Sequence, residues 1–230
     1  MREKIVEAKE LKKYYRRGHE IVKALDGVDF EIAKGEMISI VGPSGSGKTT
    51  LMNLISCLDK PTSGNLSIAG TDVTSLPEKE LINIRRENIG FIFQQIHLIP
   101  TLTAKENVWL PRVFFKRWID VKRISDLLER VGLKGRETIQ AKMLSRGDKQ
   151  RIAIVRALIG DPKLLIADEP TGKLEVKVRN DLVELFRELK KTGLAIFIAT
   201  HDLELAEMTE RIIYLQDGRI VSKEESSLYY

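Results

Sequence analysis

The sequence contains little cysteine, few aromatic residues and no long apolar run. Among its 230 residues there is one cysteine, Cys57, which excludes an internal disulfide and suits a reducing compartment. No run approaches about 18 consecutive apolar residues, so we predict no membrane-spanning helix. The charged residues at 2–4 are unlike the start of a secretory signal. We therefore expect a cytoplasmic location.

The overall composition is that of an ordinary globular domain. Hydrophobic residues make up 43% of the chain and charged residues 31%, with a net charge of +5. We interpret the basic residues between 9 and 23 as a solvated face, with attraction to anionic headgroups as the alternative. Aromatic residues reach only 6% and do not alternate with the basic ones. We therefore expect no nucleic-acid partner.

The most informative stretch is the glycine-rich segment 42–49, which fits the pattern G-x-x-x-x-G-K-[ST]. The apolar run 37–41 before it predicts a buried strand, and 50–55 after it predicts a helix. Backbone amides at a helix N-terminus attract phosphate, and glycines allow the close approach. Lys48 would reach the β- and γ-phosphates, and the Thr49 hydroxyl would bind Mg²⁺. The predicted triphosphate site comprises Gly42, Pro43, Ser44, Gly45, Ser46, Gly47, Lys48, Thr49 and Thr50.

Apolar strands alternate with helices along the rest of the chain, which is typical of an α/β protein with a mostly parallel sheet covered on both faces. We predict a P-loop NTPase core, an N-terminal antiparallel β region and an inserted helical subdomain. The whole chain, 1–230, is expected to be a single domain. Its nucleotide-binding core is assigned to 1–95 and 144–230, and the helical insertion to about 96–143.

Within the helical insertion, apolar residues recur at three- and four-residue spacing up to Gly132, which predicts an amphipathic helix. The apolar positions of this pattern are Trp118, Val121, Ile124, Leu128 and Val131. At the C-terminus, residues 224–230 are expected to form a frayed tail.

Polar side chains follow the predicted strands. Asp168 ends an apolar strand, where a carboxylate can hold Mg²⁺ beside the phosphate loop. Glu169 would orient and polarise the attacking water, although adjacent acids at a strand end also commonly begin a helix. His201 would sense the γ-phosphate, although a lone histidine is more often structural. We assign catalytic roles to Lys48, Gln94, Glu169 and His201, and metal binding to Thr49, Gln94 and Asp168.

The order of these motifs resembles the ATP-binding subunit of an ABC transporter over essentially the whole chain. After the phosphate loop come Phe93-Gln94, then the segment 144–148 in place of the family's LSGGQ signature, then Asp168-Glu169 and His201. Within the family, the sequence looks most similar to the lipoprotein-release and macrolide-export branch. The segments that carry this similarity are 85–86, 93–95, 97–100 and 167–172.

The resemblance implies a transport-coupled ATPase that uses ATP and Mg²⁺ and drives a separate membrane-spanning partner. It also implies that this partner holds the chain at the inner face of the cell membrane. It implies export or lipoprotein release, and an ATP-dependent head-to-tail homodimer. Each ATP would lie between one phosphate loop and the other copy's signature, where Ser145 and Gly147 contact the γ-phosphate. It also implies that Tyr15 stacks on adenine, with the adjacent Tyr14 as the alternative.

The sequence departs from the family pattern at three positions. Arg146 replaces the first signature glycine, where it adds a charged contact or clashes, and Asp148 replaces the glutamine, where it repels phosphate. Glu175 stands where the family has an aspartate. These changes support an alternative function, an ATP-responsive binding module with little hydrolysis. A further alternative is an ABC-type ATPase acting in DNA repair or translation.

Overall fold

The computed structural model describes residues 2–113, 121–172 and 174–226. The strands are β1 (Lys4–Arg17), β2 (Glu20–Ala33), β3 (Met37–Val41), β4 (Ser63–Ile68), β5 (Thr71–Asp72), β6 (Ile89–Ile92), β7 (Leu164–Asp168), β8 (Ala195–Ala199), β9 (Arg211–Gln216) and β10 (Arg219–Val221). The helices are α1 (Lys48–Ile55), α2 (Glu78–Asn88), α3 (Ala104–Val113), α4 (Val121–Arg130), α5 (Arg146–Leu158), α6 (Val176–Lys191), α7 (Leu203–Glu207) and α8 (Lys223–Ser226), with a 3-10 turn at Ala141–Met143.

The larger sheet has six strands in the order β10-β9-β3-β8-β7-β6, and all its neighbouring pairs are parallel except β10 with β9. The central strands β3 and β8 are buried along their whole length, which explains why their residues are all apolar except the small Ser39. In the register of this sheet, Ile92 lies opposite Ala167 and Asp168 lies opposite Ala199. The segments that follow β6, β7 and β8 therefore meet at one edge.

The smaller sheet is antiparallel, with strand order β2-β1-β4-β5, and it lies across α1 from the larger sheet. Buried side chains of α1 pack in one hydrophobic cluster with residues of both sheets, such as Val6 and Phe197. On the opposite face of the larger sheet, α6 packs Phe186 against a second cluster that includes Ile196 and Ile198. Alternate residues of β8 thus face different layers, as expected for a sheet covered on both sides.

A third cluster joins α3, α4 and α5, through residues such as Val108, Leu128 and Val155. Together with the two sheets, this layer confirms the predicted fold: a mostly parallel core, an N-terminal antiparallel region and an inserted helical part. Within the described residues, no helix has both the length and the apolar character needed to cross a membrane.

Two details of the sequence-based prediction need correction. In α4, Ile124 and Leu128 are buried as expected, but Val121, the first described residue after the gap at 114–120, is 54% exposed; Trp118 lies outside the described residues. The frayed tail was predicted wrongly for 224–226, which belong to α8. Ser222 and Glu225 cap that helix reciprocally, with each side chain accepting the other's backbone N–H.

Candidate nucleotide-binding and hydrolysis site

The phosphate loop connects β3 to α1 in a conformation that requires glycine. Gly45 has φ +82° and Gly47, at the start of α1, has φ +110°, values that other residues rarely adopt. A Cβ at Gly47 would lie 2.4 Å from the carbonyl oxygen of Ala24, and one at Gly42 would lie 2.1 Å from that of Leu215. The loop is therefore held tightly against neighbouring backbone, with its amides at a helix N-terminus.

Two polar side chains of the loop, Lys48 and Ser46, are partly or fully buried. The Lys48 ammonium is half-buried and donates to the carbonyl oxygens of Gly42, at 2.6 Å, and Pro43, at 2.9 Å. Burial lowers the pKa of Lys48, while the charges of Glu169 and Asp168 oppose this shift. The hydroxyl of Ser46 is buried without a hydrogen-bond partner in the described residues, although such groups are normally paired.

Glu169 is the best-anchored acid at the sheet edge. Its backbone has φ +45°, and its side chain turns towards the segment after β8. Its carboxylate accepts hydrogen bonds from the Thr200 hydroxyl at 3.0 Å and the His201 backbone amide at 2.8 Å. The His201 Nδ1 lies 2.7 Å from the same carboxylate. Since an ionised carboxylate only accepts, Nδ1 carries the proton, and in the neutral ring Nε2 is then an acceptor.

Asp168 faces the phosphate loop from the end of β7. Burial, followed by the neighbouring charge of Glu169, raises the pKa of Asp168, and Lys48 lowers it. Thr49 is exposed at the end of the loop. A carboxylate and a hydroxyl suit Mg²⁺, which usually takes few protein ligands and completes its shell with phosphate oxygens and water. The described residues contain no cluster of three or more acidic, histidine or cysteine side chains that would form a metal cage by itself.

The two adjacent tyrosines of β1 have different surroundings. The Tyr15 hydroxyl donates to Asp59 at 2.9 Å. Burial and Asp59 raise the pKa of Tyr15, and the side chain of Thr50, directly after the phosphate loop, opposes part of that rise. The Lys13 ammonium lies 5.0 Å from the centroid of the Tyr15 ring. The Tyr14 hydroxyl instead donates to Asp26. Of the two tyrosines, Tyr15 is the one whose pKa is influenced by a residue next to the loop, and Tyr15 is 36% exposed.

The signature segment begins α5. Ser145 caps this helix through its side chain, which accepts from the Asp148 backbone N–H at 3.1 Å. The Asp148 carboxylate accepts from Arg136 Nη1 at 2.6 Å, so the charge that replaces the family's glutamine is paired within the chain. Arg146 is exposed and donates to the Gly172 carbonyl at 3.2 Å.

Gln94 follows β6 at the same sheet edge as the acids, and it lines a groove of about 410 Å³. The other residues of this groove are Gln95, Ile96, Arg146 and Gly172. Glu175 precedes α6 and is exposed, and its side chain makes no capping hydrogen bond. Glutamate is a poor N-cap residue compared with aspartate, so this departure removes a cap that the shorter acid can provide.

Three residues of the site escaped prediction. Thr200 anchors Glu169, and its position directly after β8 was a usable signal. Arg136 pairs with Asp148, and Asp59 holds Tyr15, but neither follows from a motif. Their roles depend on contacts between segments that sequence spacing does not reveal.

Comparison with known proteins gives consistent results. The family model described as ABC transporter matches residues 25–172. YknY, an uncharacterized ABC transporter ATP-binding protein of Bacillus subtilis, is 43% identical over 94% of this chain and 95% of its own length. The macrolide export ATP-binding/permease protein MacB of Escherichia coli K12 is 42% identical over 94% of this chain, which corresponds to 34% of MacB.

Among solved structures, the dimeric post-hydrolysis state of the ATP-binding cassette MJ0796, bound to ADP and phosphate, superposes with a TM-score of 0.85. It is 42% identical, and the match covers 94% of this chain and 97% of that one. CbiO1 from Clostridium perfringens, part of the ABC transporter complex CbiONQ, has a TM-score of 0.86 at 28% identity, with 96% and 88% of the two chains covered. The glycine-dependent loop, the acids at the sheet edge and these matches along nearly the whole length agree: the chain belongs to the ABC transporter family, as one of its ATP-binding cassettes.

Proposed function

We propose that this cassette binds and hydrolyses MgATP as the motor subunit of an exporter or lipoprotein-release transporter. The observation that carries the proposal is the placement of Glu169. Its carboxylate is held by Thr200 and His201 at the sheet edge that also carries Asp168, next to the Lys48 ammonium. An acid that is fixed in this way is suited to orient a water molecule towards a phosphate on the loop.

The catalytic step is in-line attack of water on the γ-phosphorus of ATP. Glu169 orients and polarises the water, a new oxygen–phosphorus bond forms, and the bond to the β–γ bridging oxygen breaks. Lys48 leaves the carbonyls of Gly42 and Pro43 to contact the β- and γ-phosphates, and together with the loop amides it stabilises the charge of the transition state. Thr49, Asp168 and Gln94 would hold Mg²⁺, which supplies charge neutralisation on the phosphate oxygens.

ATP-dependent closure of two copies would couple hydrolysis to a membrane-spanning partner. The dimeric MJ0796 cassette and the fused ATP-binding/permease architecture named for MacB support this arrangement. We assign partner docking to Gln94 and the helical subdomain at about 96–143, whose surface exposes Ile99, Trp109 and Met143. In this assembly the chain lies on the inner face of the cell membrane through its partner.

A second candidate function is an ATP-responsive binding module with little turnover. Arg146 and Asp148 favour it, since both alter the segment that contacts the other copy's ATP. The pairing of Asp148 with Arg136 argues against strong repulsion of phosphate by Asp148. The rate of ATP hydrolysis distinguishes the two candidate functions.

The first test is the Glu169→Gln variant, which preserves the side chain's shape and one acceptor oxygen. We expect it to bind MgATP like the wild type, to lose about 10²- to 10⁴-fold in turnover, and to shift from monomer to dimer in light scattering when MgATP is added. Glu188→Gln, on the exposed face of α6, is the matched control and keeps full turnover. Unchanged turnover in Glu169→Gln would remove Glu169 from this role. A wild-type chain that binds ATP with negligible turnover, even when a membrane partner is supplied, would establish the binding module.

A further inference from the structure

A hydrogen bond connects the signature segment to the hydrolytic loop of the same chain. Arg146 Nη2 donates to the Gly172 carbonyl at 3.2 Å, from the first residue of α5 to the loop that follows Glu169. Both residues line the groove that contains Gln94. In the proposed mechanism, the signature segment contacts the ATP bound to the other copy, whereas Asp168 and Glu169 act on the ATP bound to the same chain. The hydrogen bond from Arg146 to Gly172 therefore connects two segments that act on different ATP molecules.

The connection continues from Gly172 to the catalytic glutamate. The Gly172 backbone N–H donates to the Glu169 carbonyl at 3.1 Å, which closes a tight turn over 169–172. At the start of this turn, Glu169 has φ +45°, a conformation that costs about 1 kcal/mol or more for residues other than glycine and needs support from its surroundings. Arg146 therefore restrains the turn that determines the backbone conformation of Glu169.

The segment after this turn is also restrained. A Cβ at Gly147 would lie 3.1 Å from Val178, so the start of α5 packs closely against the start of α6. Arg179 of α6 donates to Asp202 at 3.1 Å and to Glu204 at 2.6 Å, next to His201. The loop and the first turn of α6 are thus held on one side by α5 and on the other by α7.

We propose that Arg146 is a positioning residue for hydrolysis in its own chain: through Gly172 it holds the turn that aims the Glu169 carboxylate. The inference rests on the proposed function, since it concerns the same hydrolytic site. The glycine that the family pattern has at this position has no side chain that could make this contact. The hydrogen bond to Gly172 is therefore a consequence of the arginine at position 146 in this chain. Because the bond is exposed and joins a charged donor to a neutral acceptor, its loss should lower turnover by about fivefold.

A mixing experiment distinguishes an effect of Arg146 on hydrolysis in its own chain from an effect on the ATP bound to the other copy. The Glu169→Gln variant is mixed in large excess with a protein that has intact Glu169, so that nearly every intact copy is in a mixed dimer. Hydrolysis then occurs at the intact copy's own phosphate loop, facing the signature of the inactive copy. The readouts are single-turnover phosphate release and, separately, the ATP affinity of each variant.

We expect Arg146→Ala in the intact copy to lower the rate about fivefold with unchanged ATP affinity, and Arg146→Lys to restore part of the rate through its single ammonium. The same Arg146→Ala substitution placed in the inactive copy should have a smaller effect. Lys142→Ala is the matched control, because it removes a positive charge just before the same segment without contact to Gly172, and we expect the wild-type rate.

A larger loss from the inactive copy would overturn the proposal, since Arg146 would then act on the other copy's ATP. Equal rates in all mixtures would overturn it as well. If the mixture with wild-type Arg146 in both copies releases no phosphate, the proposed function has failed, which is distinguishable from failure of this inference. Equal melting temperatures of the Arg146 variants and the control exclude a folding defect as the cause.

Discussion

Replacing Gly47 by alanine tests how closely the phosphate loop is held by β2. Two separate penalties arise at this position. At φ +110° a residue with a Cβ is strained by about 1–2 kcal/mol. The new Cβ also lies 2.4 Å from the Ala24 carbonyl, so backbone must move, and overpacking of this kind adds about 1–3 kcal/mol. We expect a total loss of about 3 kcal/mol in the free energy of unfolding.

Gly45→Ala is the matched control for this prediction. Gly45 has φ +82°, but nothing lies within 4 Å of its added Cβ, so only the conformational penalty applies. For a chain of this size, 1 kcal/mol corresponds to about 2–4 °C in melting temperature. We therefore expect Gly47→Ala to melt about 10 °C below the wild type and Gly45→Ala about 4 °C below it. Calorimetry without nucleotide measures both. Equal losses in the two variants would refute the close approach to Ala24.

Two further predictions concern the tyrosines and the thiol. Tyr15→Ala should weaken ATP binding about tenfold, because a base stacked on an aromatic ring contributes about 1–3 kcal/mol. Tyr15→Phe and Tyr14→Ala should bind ATP normally. Titration with a fluorescent ATP analogue measures these affinities, and equal losses in Tyr15→Ala and Tyr14→Ala would contradict the prediction. Burial raises the pKa of the Cys57 thiol to about 11. An unfolded thiol ionises near pH 9.0, so the burial of Cys57 lowers the free energy of unfolding only as the pH rises from about 9 towards 11. Urea unfolding should therefore show an alkaline loss of about 1 kcal/mol at pH 10 that Cys57→Ala lacks, and identical pH profiles would contradict it.

The sequence predicted the layers of the fold well where burial leaves a continuous pattern. Met37–Val41 and Ala195–Ala199 are buried on both faces of the sheet, so every residue in them is apolar or small. No sequence pattern indicates the short strands β5 and β10, because their residues are largely exposed and apolar and polar residues do not alternate in them. They are extended because each pairs with a neighbouring strand, and this pairing depends on residues elsewhere in the chain. The pair Ser222 and Glu225, which caps α8, matches a local sequence pattern for the start of a helix, and the prediction of a frayed tail did not take it into account.

The positions of the site residues followed from topology, but their contacts did not. Asp168 ends β7 and His201 follows the parallel strand β8, so a common edge was predictable. The hydrogen bond from Thr200 to Glu169 spans 31 positions, and the one from Arg136 to Asp148 spans 12. No spacing rule covers such pairs, since they depend on how the strand ends and loops are placed in space. The assigned roles of the individual residues stay predictions until turnover is measured.

Helix α5 contributes to two hydrophobic cores at once. Ile154 and Leu158 pack with the layer beneath the larger sheet, while Ile152, Val155 and Ile159 pack with α3 and α4. A fragment that ends at residue 143 would therefore lack one wall of its own interior and expose apolar surface to water. Because α5 is shared, we expect the two layers to unfold in one cooperative transition rather than separately.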